Sequence, residues 1–179
     1  MGLNPSIGLV GQWMPLPADP PPDCPPGLEY LSVVDQILIH KVPDRTQGNS
    51  TRNCYELRNG LGQRIYYALE EPSCGAGDLC RDTRGFTLRI QDSKQCNVMQ
   101  IFRPCRSQTR WCPGCLETMV IRVPEGVLIG CVSQMWHPFE PKFCVDVSGE
   151  TVLNISGPCR LVSCFSDDHF RVSMRTDLQ

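Results

Sequence analysis

Apolar and polar residues alternate along several short stretches of this chain, and a period of two is typical of half-buried β-strands. Phe86–Gln91 shows the pattern clearly, because Phe86, Leu88 and Ile90 are apolar and their neighbours are polar. Runs of turn residues, such as Asn59–Gly62, separate the apolar stretches and indicate hairpins. We place the strands at Leu28–Lys41, Cys54–Arg58, Gln63–Glu70, Phe86–Gln91, Asn97–Arg103, Thr118–Val123, Val127–Gln134, Lys142–Val147, Thr151–Ser156 and His169–Met174. About ten strands at this spacing predict a mainly β protein, an antiparallel barrel or sandwich with no helix of convincing length.

The first 26 residues have a different composition and hold half of the chain's 16 prolines. A tract of this kind cannot pack a core, so we predict a disordered or polyproline II tail over residues 1–26. Residues 27–179 then form a single domain, large enough for one hydrophobic core. Two P-x-x-P spacings in the tail are candidate ligands for SH3 or WW domains, at Pro17, Pro20, Pro22 and Pro25. A plain solvated linker explains the same prolines, and the sequence leaves both interpretations open.

Charge and motif content argue against two classes of function. The net charge is -2 and the pI is about 5.9, so the chain lacks the basic surface that binds nucleic acid non-specifically. The three histidines, His40, His137 and His169, occur in no nucleophile elbow, phosphate loop, zinc-protease or dinucleotide fingerprint. We interpret His137, between Trp136 and Pro138, as part of a packed corner rather than as a base. The sequence therefore predicts no bond-breaking chemistry and no enzyme.

Cysteine is unusually frequent, at 12 of 179 residues. Such a content fits either a secreted disulfide scaffold or an intracellular protein with reduced, acylated or metal-bound thiols. Met1–Ala18 carries no charged side chain and is interrupted by proline and glycine, which makes a poor signal peptide. We therefore expect reduced thiols on the cytosolic side. No apolar stretch reaches the length of about 18 residues that a transmembrane helix needs, so none is predicted.

The cysteines offer only one short metal-ligand motif. Cys112 and Cys115 form a C-x-x-C pair, whereas structural zinc sites combine two such pairs or add histidine. No calcium loop of the D-x-[DN]-x-[DN]-G type is present. We expect no metal site in this chain, and a thiol-rich zinc module is the least supported hypothesis.

Two features suggest contact with a membrane. The first six residues fit the M-G-x-x-x-S myristoylation pattern, which makes Gly2 a candidate acylation site. Farther along, three cysteines share a loop with arginines and a tryptophan, and S-acyl chains and basic residues both favour an anionic lipid surface. The candidate palmitoylation sites are Cys105, Cys112 and Cys115, beside Arg103, Arg106, Arg110 and Trp111. An exposed loop with ordinary buried cysteines is the alternative.

Several runs of consecutive residues match one known family. CPPGLEYL at Cys24–Leu31 is the most specific, because eight consecutive residues agree. FTLRI at Phe86–Ile90, WHP at Trp136–Pro138 and ISGPC at Ile155–Cys159 follow in the same order. From about Trp13 to its C-terminus, the chain resembles the phospholipid scramblases.

This resemblance implies a tubby-like fold, an antiparallel barrel around a central hydrophobic helix. It implies calcium-activated, ATP-independent and bidirectional movement of phospholipids between leaflets, with calcium as the cofactor. It also implies palmitoylation in a cysteine-rich loop, here Cys105–Cys115, on the cytoplasmic face of the plasma membrane. Arg110 and Trp111 stand where the family has further thiols, so this cluster is thinner. The family's acidic calcium segment and central helix lie beyond Gln179, so we expect an incomplete barrel without its own calcium site.

Two function hypotheses follow. The first is phospholipid scrambling, as the resemblance implies. The second is a non-scrambling, membrane-associated adaptor that binds SH3 or nuclear partners and resides in the cytoplasm or nucleus when it is not acylated. Both make the phospholipid membrane a partner, and a scrambling assay in liposomes distinguishes them.

Overall fold

The computed structural model describes residues 11–43, 53–72, 85–104, 116–124, 126–158 and 168–175. These residues form a ten-stranded sheet and a short 3-10 helix at Glu29–Ser32, and no described segment is α-helical. The strands are β1 Leu38–Val42, β2 Cys54–Arg58, β3 Arg64–Pro72, β4 Phe86–Gln91, β5 Asn97–Arg103, β6 Thr118–Arg122, β7 Leu128–Met135, β8 Lys142–Val147, β9 Glu150–Ser156 and β10 Arg171–Met174. The predicted mainly β, antiparallel architecture is confirmed.

The bounds of the strands agree closely with the alternation of the sequence, apart from the first strand. Strands β2, β4, β5 and β8 begin and end at the predicted residues. The predicted strand Leu28–Lys41 is wrong in its first half, where the chain forms the 3-10 helix. There the Val33 amide donates a hydrogen bond to the Tyr30 carbonyl at 3.3 Å. Local bonds of this kind satisfy the backbone without a partner strand, so β1 begins only at Leu38.

Hydrogen-bonded neighbours in the sheet follow chain order from β1 to β10. Strands β1 and β10 are the outer members of this order, so the sheet formed by the described residues is open. An open antiparallel sheet agrees with the expected incomplete tubby-like barrel. The chain divides into two compact units, residues 1–71 with 88–100, and residues 72–87 with 101–179.

The first unit is built on the antiparallel strands β1, β2 and β3. Val42 pairs with Cys54, and Cys54 pairs with Leu69. The buried apolar side chains of this unit are Tyr30, Cys54, Ile65, Tyr66, Ala68, Ile90 and Val98. Burying a large apolar side chain stabilises a fold by about 1.5–3 kcal/mol, so this small cluster is the main source of the unit's stability.

Tyrosine contacts attach the segment Cys24–Leu31 to this core. The Tyr66 hydroxyl donates a hydrogen bond to the Gly27 carbonyl at 2.6 Å, and its ring meets Tyr30 edge to face, with centroids 5.8 Å apart. Burial is the main cause that raises the pKa of Tyr66, so the hydroxyl stays a donor at neutral pH. Gly27 has a φ of +89°, and Val98 leaves no room for a side chain there. The close packing at Gly27 and the two contacts of Tyr66 therefore hold the segment Cys24–Leu31 against the core.

Residues near the start of the described chain run beside β3. Trp13 forms a parallel bridge with Arg64, whose amide donates to the Gln12 carbonyl at 2.8 Å. The Met14 amide donates to the Arg64 carbonyl at 2.9 Å. The Arg64 guanidinium also lies over the Trp13 indole, 5.1 Å from the ring centroid, in a cation–π contact. Residues 12–14 therefore contact the sheet, while the domain boundary after residue 26 stays a prediction.

Glu56, in the middle of β2, is a buried charge of the first unit, with 9% of its surface exposed. Arg58 bonds one carboxylate oxygen, and Arg64 bonds the other at 2.6 Å. Burial alone would raise the pKa of Glu56, but the hydrogen bonds and charges of Arg58 and Arg64 outweigh it and hold this pKa below its usual value. The ion cluster therefore connects β2 to β3 and, through Arg64, to Trp13.

We expect Glu56→Gln to lower the free energy of unfolding by about 2 kcal/mol at neutral pH, because two arginines lose their counter-charge. A carboxyl with a lowered pKa contributes stability above its unfolded-state pKa, and the contribution disappears as the pH falls through the folded-state pKa. The variant should therefore become as stable as the wild type in acid. Urea unfolding between acidic and neutral pH measures the difference.

Glu71→Gln is the matched control, because Glu71 pairs with Arg89 at 3.0 Å but is more exposed. We expect it to cost less than about 1 kcal/mol. A deficit of Glu56→Gln that stays constant at every pH would show that the charge of Glu56 does not act as described.

The second unit contains the antiparallel strands β6–β10. The hairpin turns at Gly126 and Gly149 have φ values of +80° and +87°, which suit glycine and lie where the sequence predicts turns. The pairing shifts by one residue after Ile121 in β6 and after Val145 in β8. Such bulges change which side chains share a face, so the register decides the chemistry of each side of this sheet.

Candidate functional site

The registers of β6–β10 sort the side chains of the second unit into an apolar and a polar face. Residues paired across antiparallel strands point to the same side of a sheet, and successive residues of a strand point to opposite sides. Val132, for example, pairs with Met119 in β6 and with Val145 in β8. The apolar side chains of this face, which Gln134 and Glu150 share, are Met119, Ile121, Val132, Phe143, Val145, Val147, Leu153, Ile155, Val172 and Met174.

The described residues cover this apolar face only in part. Val132, Val145 and Leu153 are half-buried, whereas Val172 and Met174 of the outer strand β10 are 58% and 82% exposed. Contiguous apolar surface is uncommon on soluble monomers and usually marks a place where a lipid, a protein or another segment packs. The apolar face is therefore a candidate surface for an apolar partner.

The opposite, polar face is centred on Asp146 of β8. Its carboxylate accepts hydrogen bonds from the Thr151 hydroxyl and from the thiols of Cys131 and Cys144, the latter two at 3.6 and 3.9 Å. Burial and, next, the negative charge of Asp146 raise the pKa of Cys144. Because the thiolate is the nucleophilic form of cysteine, Cys144 is a neutral hydrogen-bond donor and a poor nucleophile at neutral pH.

Potential metal ligands are dispersed in the described part of the chain, where no three histidine, cysteine or carboxylate side chains lie close enough to hold an ion. His40 lies in β1, His137 lies in the loop between β7 and β8, and His169 precedes β10. Within the described ranges, no helix is long and apolar enough to cross a bilayer.

The candidate acylation sites lie outside the described residues, and they are Gly2, Cys105, Cys112 and Cys115. Arg103, which the sequence placed beside the cysteines, lies at the end of β5. Its guanidinium pairs with Glu117 at 3.6 Å and lies 4.6 Å from the centroid of the Phe86 ring. These contacts hold Arg103 on the sheet, so it is less suited to bind lipid than the sequence suggests.

The candidate SH3-binding prolines lie in a described segment, where Pro17 is half-buried and Pro20, Pro22 and Pro25 are exposed. The chain turns around the second spacing, since the Cys24 amide donates to the Pro21 carbonyl at 3.0 Å and the Leu28 amide donates to Pro25 at 3.1 Å. A polyproline II ligand has no internal hydrogen bonds. Docking of an SH3 domain at this spacing therefore requires these turns to open, and SH3 binding stays a prediction.

An exposed loop of the second unit was not identified as a site from the sequence. Residues 136–141 connect β7 to β8 and carry Trp136 and Phe139, each 56% exposed. Inside the loop, Nδ1 of His137 accepts a hydrogen bond from the Glu140 amide at 3.0 Å. His137 therefore does hold a corner of the chain, but the neighbouring Trp136 points to solvent rather than packing in that corner.

Comparison with known proteins identifies relatives along nearly the whole chain. The family model described as Scramblase matches residues 14–178. Human phospholipid scramblase 1 is 46% identical over 164 residues, which cover 89% of this chain and 51% of the relative. Bovine phospholipid scramblase 2 is 44% identical over 169 residues, or 92% and 57%. Human phospholipid scramblase family member 5 is 42% identical over 165 residues, or 89% and 61%.

No solved structure matches the chain. The chain spans 51–61% of the length of these three relatives, so the match concerns one region of longer proteins. The resemblance seen in Cys24–Leu31 and the later motifs is confirmed, because the family model includes all of them. Since that model covers most of the chain and several relatives exceed 40% identity, the chain belongs to the phospholipid scramblase family.

Proposed function

We propose that this chain takes part in phospholipid scrambling, the movement of phospholipids between membrane leaflets, at the cytoplasmic face of the plasma membrane. The observation that carries the proposal is the identity above 40% with proteins named phospholipid scramblases. Those relatives are longer than this chain. The proposal therefore concerns the part that these residues play in the activity of a whole scramblase.

The two faces of β6–β10 support this proposal, because a phospholipid also has an apolar and a polar part. Acyl chains that pack on the apolar face are stabilised by about 25 cal/mol for each Å² removed from water. A headgroup loses hydrogen bonds when it enters hydrocarbon, and the Asp146 carboxylate, which has further lone pairs, can accept hydrogen bonds from an ammonium headgroup. Lowering this cost speeds movement in both directions without an energy source, as ATP-independent scrambling requires.

Membrane attachment and calcium activation belong to the same proposal. We assign attachment to acyl chains on Cys112 and Cys115, with Cys105 and Gly2 as further candidates. Calcium takes about six to eight oxygen ligands, and the described residues contain no group of three candidate ligands. We therefore expect calorimetry to find no stoichiometric micromolar calcium site among the described residues, and calcium would act elsewhere in the complete protein.

Liposomes with a fluorescent phospholipid in both leaflets test the function. A membrane-impermeant reductant bleaches the label of the outer leaflet, and scrambling exposes the label of the inner leaflet. We expect the chain to increase the bleached fraction without nucleotide, and we expect added calcium to change this fraction little, because we place calcium binding elsewhere. An encapsulated water-soluble dye controls for leakage, and heat-unfolded protein controls for non-specific effects.

Bleaching that stays at the protein-free level, with and without calcium, would refute the proposal for this chain. Binding to the same liposomes without scrambling would instead support the membrane-associated adaptor.

A further inference from the structure

We propose that three exposed aromatic side chains of the second unit form a membrane-docking tip that enters the interfacial layer of a phospholipid bilayer. The tip consists of Trp136, Phe139 and Phe170. The inference rests on the proposed function and deepens it, because it names the surface through which this unit meets lipid.

The strand register brings the tip residues to one end of the sheet. A row of paired residues crosses that end, and its members are Met135, Lys142, Ser156 and Arg171. Trp136 and Phe139 lie in the loop just beyond this row, and Phe170 immediately precedes Arg171, the first residue of β10. All three aromatic residues therefore project past the same end of β7, β8 and β10.

Gly157 provides the contact that joins the two segments of the tip. A β-carbon at Gly157 would overlap both Pro141 and the ring of Phe170, so both rest directly on its backbone. The Gly157 amide also donates a hydrogen bond to the Pro141 carbonyl at 2.8 Å. Because Pro141 ends the loop that carries Trp136, Phe170 lies at the base of that loop.

The order of aromatic and basic side chains in the tip resembles the order of layers at a bilayer surface. Trp136, Phe139 and Phe170 are 56%, 56% and 52% exposed. Behind them lie Lys142, paired with Glu140 at 3.5 Å, and the exposed Arg171. Tryptophan favours the headgroup level, and long basic side chains reach toward phosphates. The aromatic groups thus lie beyond the row that carries Lys142 and Arg171, which matches entry into the headgroup region.

The size of the tip favours a bilayer over a second copy of the chain. An aromatic side chain has about 150–250 Å² of surface, so the exposed parts of the three add to roughly 300 Å². A stable protein interface takes about 800 Å² from each partner. A bilayer needs no complementary shape, so a patch of this size suffices for weak, reversible binding.

The charges around the tip predict how binding responds to lipid composition. Lys142 and Arg171 are balanced by Glu140 and Asp168, so the described residues at this end of the unit have little net charge. Binding through the aromatic side chains should therefore change little between phosphatidylcholine vesicles and vesicles that also contain phosphatidylserine. High salt should weaken it little, in contrast to binding through arginine clusters.

Flotation of the full, unacylated chain with phosphatidylcholine vesicles tests the tip. We expect the pair Trp136→Ser with Phe139→Ser to lower the partition coefficient about tenfold, because most of the exposed apolar tip is removed. The matched control is Val127→Ser with Leu128→Ser, which changes two residues of 58% and 61% exposure at the other end of β7. The control pair should bind within about twofold of the parent.

Quenching by brominated phosphatidylcholine gives a second test of the tip, which remains valid even if the Trp136→Ser, Phe139→Ser variant unfolds. Trp136→Phe keeps an aromatic tip, so it should float like the parent. It should lose the component of tryptophan fluorescence that the bromines quench, since Trp136 is the tryptophan of the tip. Quenching that is unchanged in Trp136→Phe would overturn the proposal.

Two flotation results would also contradict the docking-tip proposal. In one, the tip variant floats as well as the parent. In the other, the tip variant and the control variant lose binding equally. A change from dimer to monomer in the tip variant, without a change in flotation, would assign the patch to a second copy. If flotation depends on the tip but no scrambling occurs, only the proposed function is refuted. If scrambling occurs but flotation does not depend on the tip, only the docking-tip proposal is refuted.

Discussion

Gly27→Ala is expected to lower the free energy of unfolding by about 3 kcal/mol, the sum of a strained backbone and an overpacked core. The φ of Gly27 is +89°, a conformation that alanine rarely adopts. The new β-carbon would also overlap the side chain of Val98, which is only 3% exposed and cannot move into solvent. Urea unfolding followed by circular dichroism measures the loss.

Gly126→Ala separates the two causes. Gly126 has a similar φ of +80°, but a β-carbon there meets no atom within 4 Å. This control should show the backbone strain alone, about 1 kcal/mol. If both alanine variants lose the same free energy, the close approach of Val98 to Gly27 contributes nothing, and the account of how Cys24–Leu31 is held is wrong.

Replacing Cys112 and Cys115 together by alanine should move the protein from membranes to the cytosol or nucleus. A palmitoyl chain buries about 15 methylene-sized groups at about 0.8 kcal/mol each, or roughly 12 kcal/mol before ordering costs. A basic residue near an anionic leaflet contributes about 1 kcal/mol. Acylation should therefore dominate over charge, and the loss of membrane-bound protein should be nearly complete. Membrane flotation from cells that express the chain measures this.

Arg106→Gln with Arg110→Gln is the matched control for charge and should reduce flotation far less. Arg103 is left unchanged because it pairs with Glu117 on the sheet. A double cysteine variant that floats as well as the parent would show that this loop is not the anchor. Gly2→Ala and Cys105→Ala would then test the two remaining candidate acyl sites.

The sequence predicts most of the strands because their alternation is local. Phe86–Gln91 and Lys142–Val147 need only their own residues and flanking turns to be recognised, and both bounds are as predicted. Residues Leu28–Leu31 misled the same reasoning, since three of the four are apolar and yet the segment closes 3-10 hydrogen bonds. Composition does not distinguish a short apolar helix from a strand when the segment spans only a few residues.

The surfaces of the second unit could not be predicted in the same way, because they depend on pairing between strands. The bulge after Val145 puts Thr151 opposite Asp146, on the polar side, whereas simple alternation from Leu153 would put it on the apolar side. Trp136 and Phe170 are far apart in sequence and reach the same end of the sheet only through the register of β7–β10. The sequence shows the motif Trp136–Pro138, but it does not show that the Trp136 side chain is exposed to solvent.

The order of the strands in the sheet has a consequence for synthesis on the ribosome. Each described strand lies beside its chain neighbours, so a partner for pairing is already present when the next strand emerges. Hairpins such as β6 with β7, and β8 with β9, close in about 1–10 μs, whereas translation adds about 5–20 residues each second. Every hairpin therefore has time to form and open many times before the following strand is made, which allows pairing to proceed from the N-terminus by one strand at a time.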